Sequence, residues 1–174
     1  EFVGEVVEVG SAVSGVKIGQ RAMGFTIGVC GTCYWCQTGN LNNCPSAFKN
    51  STGYGKPGAF AEYVKIENVL PGLTFHAIPD DMSDEEAATL EPVSVAAFTA
   101  EMTGVGEGDK VAVIGAGLIG NAMMQAMKAI PVEKVVVSEI SPLRQRMARE
   151  LGADAVIDAR NEAVLERMKE ELGV

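Results

Sequence analysis

"KVAVIGAGLIGNAMMQAMKAI", residues 110–130, decides the fold. An apolar run of β-type residues ends at Gly115, and Gly117 and Gly120 follow as an apolar helical stretch begins. Alone, three glycines in the pattern Gly-x-Gly-x-x-Gly are weak evidence. Directly after a strand and at the opening of a helix they stand in the context that the motif requires. Gly115 makes the tight turn, Gly117 lets a diphosphate approach the backbone, and Gly120 lets helix and strand pack closely. A helix N-terminus offers such an anion unpaired N–H groups and the positive end of its dipole.

An acidic residue is expected about 20 residues further on, at the end of the next strand. Glu139 in "VVVSE" stands there. Its carboxylate can accept bonds from adenosine ribose hydroxyls and would repel a 2′-phosphate, which favours NAD over NADP. Leu118 and Ile119, between the second and third glycines, are grouped with them as cofactor-binding residues. Arg144 on the following helix is placed either to stack on adenine or to be solvated. The bland alternative is ordinary βα packing, with Glu139 a surface strand end.

Outward from this turn the chain alternates. Strand "KVAVIG", helix "GNAMMQAMKAI", strand "KVVVSE", helix "SPLRQRMAREL", strand "DAVID" and helix "EAVLERMKEEL" follow in order. Strands alternating with helices of this length imply a parallel sheet with crossover helices. The methionines at helical spacing are expected to fill core, and Gly152 sits where a left-handed helix stop is wanted. Upstream, Ser83 and Glu86 in "SDEEAATL" form a capping box that announces a helix. "PVSVAAFTAEM" reads as a separate helix with Pro92 at its first position. Before about residue 80 the chain reads as all-β: "FVGEVVEV" (Phe2–Val9), "GQRAMGF", and "GKPGAFAEYVKI" behind a Pro-Gly turn. The fold class is therefore α/β, an all-β part followed by a parallel-sheet part, with a boundary near Glu91.

"VCGTCYWCQTGNLNNCP", residues 29–45, holds all four cysteines: Cys30, Cys33, Cys36 and Cys44. Three thiols at intervals of three, with a fourth after a short loop, can converge on one ion. Zinc takes four thiolates in a tetrahedron at about 2.3 Å, and soft ligands favour zinc or iron over magnesium or calcium. Disulfides are the weaker reading, because Cys-x2-Cys repeats in a chain with no mark of secretion point to metal. The Cys44-Pro45 ending fits an iron–sulfur run, but its last gap should be about three residues and here seven intervene. Four protein ligands leave no open position, so this metal should brace the loop. His76, the only histidine, has no ligand at metal spacing and reads as a plain loop or strand residue.

Composition narrows the class. A net charge of -9 argues against nucleic acid and anionic membranes as partners. No apolar run approaches a bilayer-spanning length. With no signal segment and reduced cysteines expected, the location is read as cytoplasmic. The opening "EFVGEVVEVG" and the close "MKEELGV" both read as cuts through a longer protein.

A four-cysteine loop, "GAFAEYV", "EP" and "VIGAGLIG" leading to "VVVSE" occur in that order. Together they resemble the zinc-dependent medium-chain alcohol dehydrogenases, along the whole chain. "LEPVSVAAFTA" and "KVVVSEIS" look most like the polyol and 2,3-butanediol dehydrogenases within that family, and Gln20 stands where the family commonly has Asp. The resemblance implies that residues 1–90 are part of a GroES-like catalytic domain with a structural zinc loop at 28–46. Residues 91–174 would be the first half of an NAD-binding Rossmann domain. It implies a second, catalytic zinc acting on a small-molecule alcohol or polyol, with hydride passing to NAD. Glu1 matches the Glu of the family's Gly-His-Glu motif, and Glu91 the carboxylate before Pro; the resemblance makes both candidate catalytic-zinc groups. The family's Cys and His at that zinc would precede residue 1, so this stretch alone is expected to be inactive. The parent protein is expected to be a homo-oligomer. Without the family, the alternative is that Glu91 merely faces the N-terminus of a helix starting at Pro92. Two other functions remain open: a non-catalytic NAD-binding, zinc-stapled module, and an iron–sulfur electron-transfer module.

Overall fold

Six strands form two separate three-stranded sheets, one antiparallel and one parallel. The computed structural model describes all 174 residues. They divide into two compact units, Glu1–Glu91 and Pro92–Val174.

In the first unit, β1 (Phe2–Glu5) and β3 (Phe75–Ala77) flank β2 (Arg21–Gly24), both antiparallel to it. Phe2 lies opposite Gly24, and its ring occupies the space that a Cβ at position 24 would fill. The glycine thus lets an aromatic ring cover the strand end. Met23, Ile78 and Ala87 form a small core beneath, joined by Val3 and Met82. The strand read over Phe2–Val9 stops at Glu5, because β2 begins at Arg21 and leaves little further edge to pair with. The strand expected in "GKPGAFAEYVKI" does not form. Its alternating pattern suits a half-buried strand, yet both edges of β2 are taken by β1 and β3, and Phe60 and Tyr63 remain exposed. The third strand comes instead from Phe75–Ala77, which includes His76. The all-β reading of this region also gives way between β2 and β3. There α1 (Tyr34–Gln37), a 3-10 turn (Leu41–Asn43) and α2 (Ala47–Asn50) wind the chain around the cysteines.

Helix α3 (Asp84–Met102) runs unbroken through Pro92, so the two helices expected here are one. The Ser83–Glu86 capping box is formed in both directions: the Ser83 N–H donates to Glu86 Oε2 at 2.9 Å, and the Glu86 N–H to Ser83 Oγ at 3.2 Å. Proline removes one backbone N–H and crowds the preceding turn. Strong helix formers on both sides, Ala87, Ala88 and Leu90 before it and Ala96, Ala97 and Ala100 after it, carry the helix across.

The second unit is a parallel sheet of β4 (Lys110–Ile114), β5 (Lys134–Glu139) and β6 (Ala155–Asp158), in that order. Between and after them run α4 (Leu118–Lys128), α5 (Pro142–Glu150) and α6 (Val164–Leu172). Val135, Val136 and Val137 of the central strand are all fully buried. Val135 and Val137 pack with Met124, Met127, Val113 and Ala148; Val136 packs with Ile157 and Met168 of the other cluster. Alternate residues of one strand thus serve both covered faces, as a parallel sheet requires. Each such valine contributes about 1.5–3 kcal/mol relative to exposure. Gly152 takes a left-handed φ of 102° just past α5. No helix is long and apolar enough to cross a membrane.

Candidate functional site

The cysteine lobe gathers its four thiols by local winding. Gly31 and Gly39 adopt left-handed φ values of 73° and 80°, which turn the chain sharply after Cys30 and after α1. Cys33 caps α1, Cys36 lies within it, and Cys44 ends the 3-10 turn. The four Sγ atoms all lie within 4.8 Å of one another. Cys30 and Cys36 are 3.9 Å apart, and Cys33 and Cys36 3.5 Å. Sulfurs held about 2.3 Å from one tetrahedral ion are about 3.8 Å apart, so the quartet fits zinc. No disulfide joins them. Backbone N–H groups of Thr32 and Cys33 stabilise the Cys30 thiolate and bring its pKa down to about 6. Burial, followed by contact with Cys33, pushes Cys36 up to about 12. A dication would reverse that penalty, because a coordinating thiol is deprotonated outright. This is the one group of three or more ligating side chains in the chain.

The glycine turn is built by the parallel sheet. The Gly115 N–H donates to Ser138 O at 2.8 Å, which extends the β4–β5 pairing into the turn. Gly115 has a left-handed φ of 92°. A Cβ on Gly120 would lie 1.8 Å from Gly115 O, so only glycine lets α4 start this close to the strand. Gly117 caps α4, and a Cβ there would meet nothing within 4 Å. That open space in front of a helix N-terminus fits a diphosphate. Leu118 and Ile119 are exposed on the first turn.

Glu139 ends β5 at 5% exposure. Its Oε2 accepts from the Ala116 N–H at 2.7 Å, and its Oε1 from the N–H groups of Ile140 and Ser141, both at 2.8 Å. These donors, Ser141 first, hold its pKa below the usual carboxylate range despite burial, and Arg144 adds electrostatic support. Gln145 Nε2 donates to the Glu139 carbonyl at 2.8 Å. The acid expected to face a ribose is therefore also the clamp on the glycine turn.

Glu1 and Glu91 are brought together within the first unit. Glu91, half-buried, has its pKa raised by burial first and then by the hydrogen-bonded, like-charged Glu1. Glu91 sits inside α3, so the reading of it as an anion at a helix end beginning with Pro92 does not stand. His76 Nε2 makes one contact, with Leu73 O at 3.2 Å. Sequence reasoning missed Asn121 and Gln145, both buried. The sequence marks Asn121 only as an amide among the apolar residues of α4, without its role, and Gln145, between Ser141 and Arg149, carries no such mark.

Residues 1–75 match the alcohol dehydrogenase GroES-like domain. L-threonine 3-dehydrogenase of Chelativorans sp. (strain BNC1) is 42% identical over 171 residues, covering 97% of this chain and 47% of that protein. The same-named enzyme of Pseudoalteromonas translucida (strain TAC 125) is 37% identical over 176 residues, covering 100% and 49%. Among solved structures, galactitol-1-phosphate dehydrogenase from Escherichia coli superposes with a TM-score of 0.81 at 27% identity, covering 99% of this chain and 49% of that one. Alcohol dehydrogenase TADH from Thermus sp. ATN1 gives 0.80 at 28%, covering 99% and 50%. The chain spans about half the length of the curated relatives it matches.

Proposed function

We propose that this chain, similar to alcohol dehydrogenases along its length, is part of a zinc-dependent medium-chain alcohol dehydrogenase and serves NAD-linked oxidation of a small secondary alcohol or polyol. The observation that carries this reading is the turn at Gly117, open in front of α4 and backed by the ionised Glu139. NAD bound there would supply the hydride acceptor. Gly117 and the first N–H groups of α4 would hold the diphosphate. Glu139 would accept bonds from the ribose hydroxyls, and its negative charge would disfavour a 2′-phosphate. Arg144 would lie near the adenosine end, since its charge already reaches Glu139.

Cys30, Cys33, Cys36 and Cys44 would hold a structural zinc that fixes the lobe. Glu1 and Glu91 would contribute to a second zinc, whose chemistry is Lewis-acid polarisation of an alcohol oxygen. Their contact supports this: two carboxylates that repel each other invite a cation. Two carboxylates are too few to complete such a site, so these 174 residues alone should not turn over substrate. The relatives named L-threonine 3-dehydrogenase and the neighbour named galactitol-1-phosphate dehydrogenase support the substrate class.

The test combines elemental analysis with NADH titration of the purified chain. About one zinc per chain, no visible absorption and saturable NADH fluorescence are expected, the stoichiometry following from four ligands per ion. Iron with a visible spectrum, or no NADH response, would overturn the reading. Turnover of NAD with a small diol, abolished by a chelator, would overturn the expected inactivity.

A further inference from the structure

Asn121 Oδ1 is the one buried side-chain N or O atom without a hydrogen-bond partner, on a residue that is 7% exposed. The same amide is engaged at its other end, where Nδ2 donates to Ala116 O at 2.8 Å. The Ala116 N–H donates to Glu139 Oε2. Both peptides flanking Ala116 are therefore anchored, one by each side chain. The peptide joining Ala116 to Gly117 is trans, so its C=O and N–H point in opposite directions. Drawing the carbonyl to Asn121 turns the Gly117 N–H the other way. Gly117 is the cap of α4, with open space around it. Nearby Met124 and Met127 on the same helix simply fill core. An asparagine among them leaves a buried acceptor unsatisfied, a cost that a core-filling residue would avoid.

Resting on the cofactor reading above, we infer that Asn121 is a positioning residue that aims the Gly117 N–H at the diphosphate of a bound dinucleotide. It touches the turn and not the ligand. Glu139 and Asn121 then divide the work at Ala116: the acid serves the sugar side, the amide the phosphate side.

The test compares N121L with the unaltered chain in titrations with NADH, ADP and adenosine, together with amide NMR of ¹⁵N-labelled protein. In the unaltered chain the Gly117 amide resonance is expected to move downfield as NADH saturates. In N121L that movement is lost. NADH and ADP bind about tenfold more weakly, the size of one hydrogen bond to a charged group, while adenosine binds unchanged. A purely structural role would lower the melting temperature without separating ADP from adenosine. Unchanged NADH affinity in N121L, or an equal loss for ADP and adenosine, overturns the inference and leaves the cofactor reading intact. N121A is read in the same way if N121L does not fold. A Gly117 resonance that ignores saturating NADH in the unaltered chain overturns the inference without any variant. No NADH binding by the unaltered chain overturns it together with the reading on which it rests.

Discussion

The cysteine lobe and the glycine turn are two candidate sites built in two different ways from one chain. The turn is made of backbone, held by a strand with three consecutive fully buried valines and by a cluster of eight buried residues. The lobe is made of side chains on irregular backbone, over a cluster of three buried residues, Val29, Cys44 and Ala47. One of those three, Cys44, is itself a proposed zinc ligand. On the proposed reading the turn would exist before its ligand arrives, whereas the lobe would depend on zinc for much of its order. A segment too small to bury a core of its own commonly obtains its stability from metal.

Metal removal should break this comparison most forcefully. Structural zinc contributes about 10–16 kcal/mol in small metallo-domains at neutral pH. Chelation, or Cys44→Ser, should remove hydrogen-exchange protection from residues 29–51 and leave the amides of Val135, Val136 and Val137 protected. Equal loss in both regions would show that the lobe and the sheet stand or fall together.

Gly120→Ala attacks the other region. The added methyl would lie 1.8 Å from Gly115 O, and backbone cannot yield as a flexible side chain can. A destabilisation of about 1–3 kcal/mol is expected from overpacking, with NADH affinity falling by at least tenfold, while zinc content stays unchanged. Thermal melts, NADH fluorescence and metal analysis check the three parts. A variant that binds NADH normally would remove the close approach from the account.

Glu139→Gln sharpens the comparison on a smaller scale. The amide nitrogen cannot accept, so at least one of the N–H groups of Ala116, Ile140 and Ser141 loses its partner. The expected cost is about 1–3 kcal/mol, and the preference for NADH over NADPH should shrink. The pH dependence has a definite sign. The folded carboxyl titrates below the unfolded value of about 4.3, so its stabilisation is present above that pH. It is lost as pH falls through the folded pKa. Acid unfolding of E139Q should therefore lack that portion of the pH slope, which denaturant titrations at several pH values would measure.

Much of this was legible in the sequence because it depends on local patterns. The strand–turn–helix around Gly115, the acid at Glu139 and the cysteine spacing are all written in neighbouring residues. What escaped depends on partners elsewhere. Residues 55–66 carry a strand pattern, but β2 had no edge left for them. Phe75–Ala77 became that edge in a three-residue strand, too short to show a period. Pro92 read as a helix start because proline favours that position, yet the helix formers around it outweighed the missing bond. Asn121 was hidden because an amide on a helix reveals its role only when the carbonyl it holds is known.

The alternation of Val135, Val136 and Val137 between two opposite packings has a practical corollary. Sliding this strand by a single position would swap the contents of both layers at once, so it behaves as a fixed ruler. The loop that follows Glu139 is mounted on the end of that ruler. If the proposed cofactor reading holds, a new nucleotide preference can be written into the loop with the strand kept as the datum.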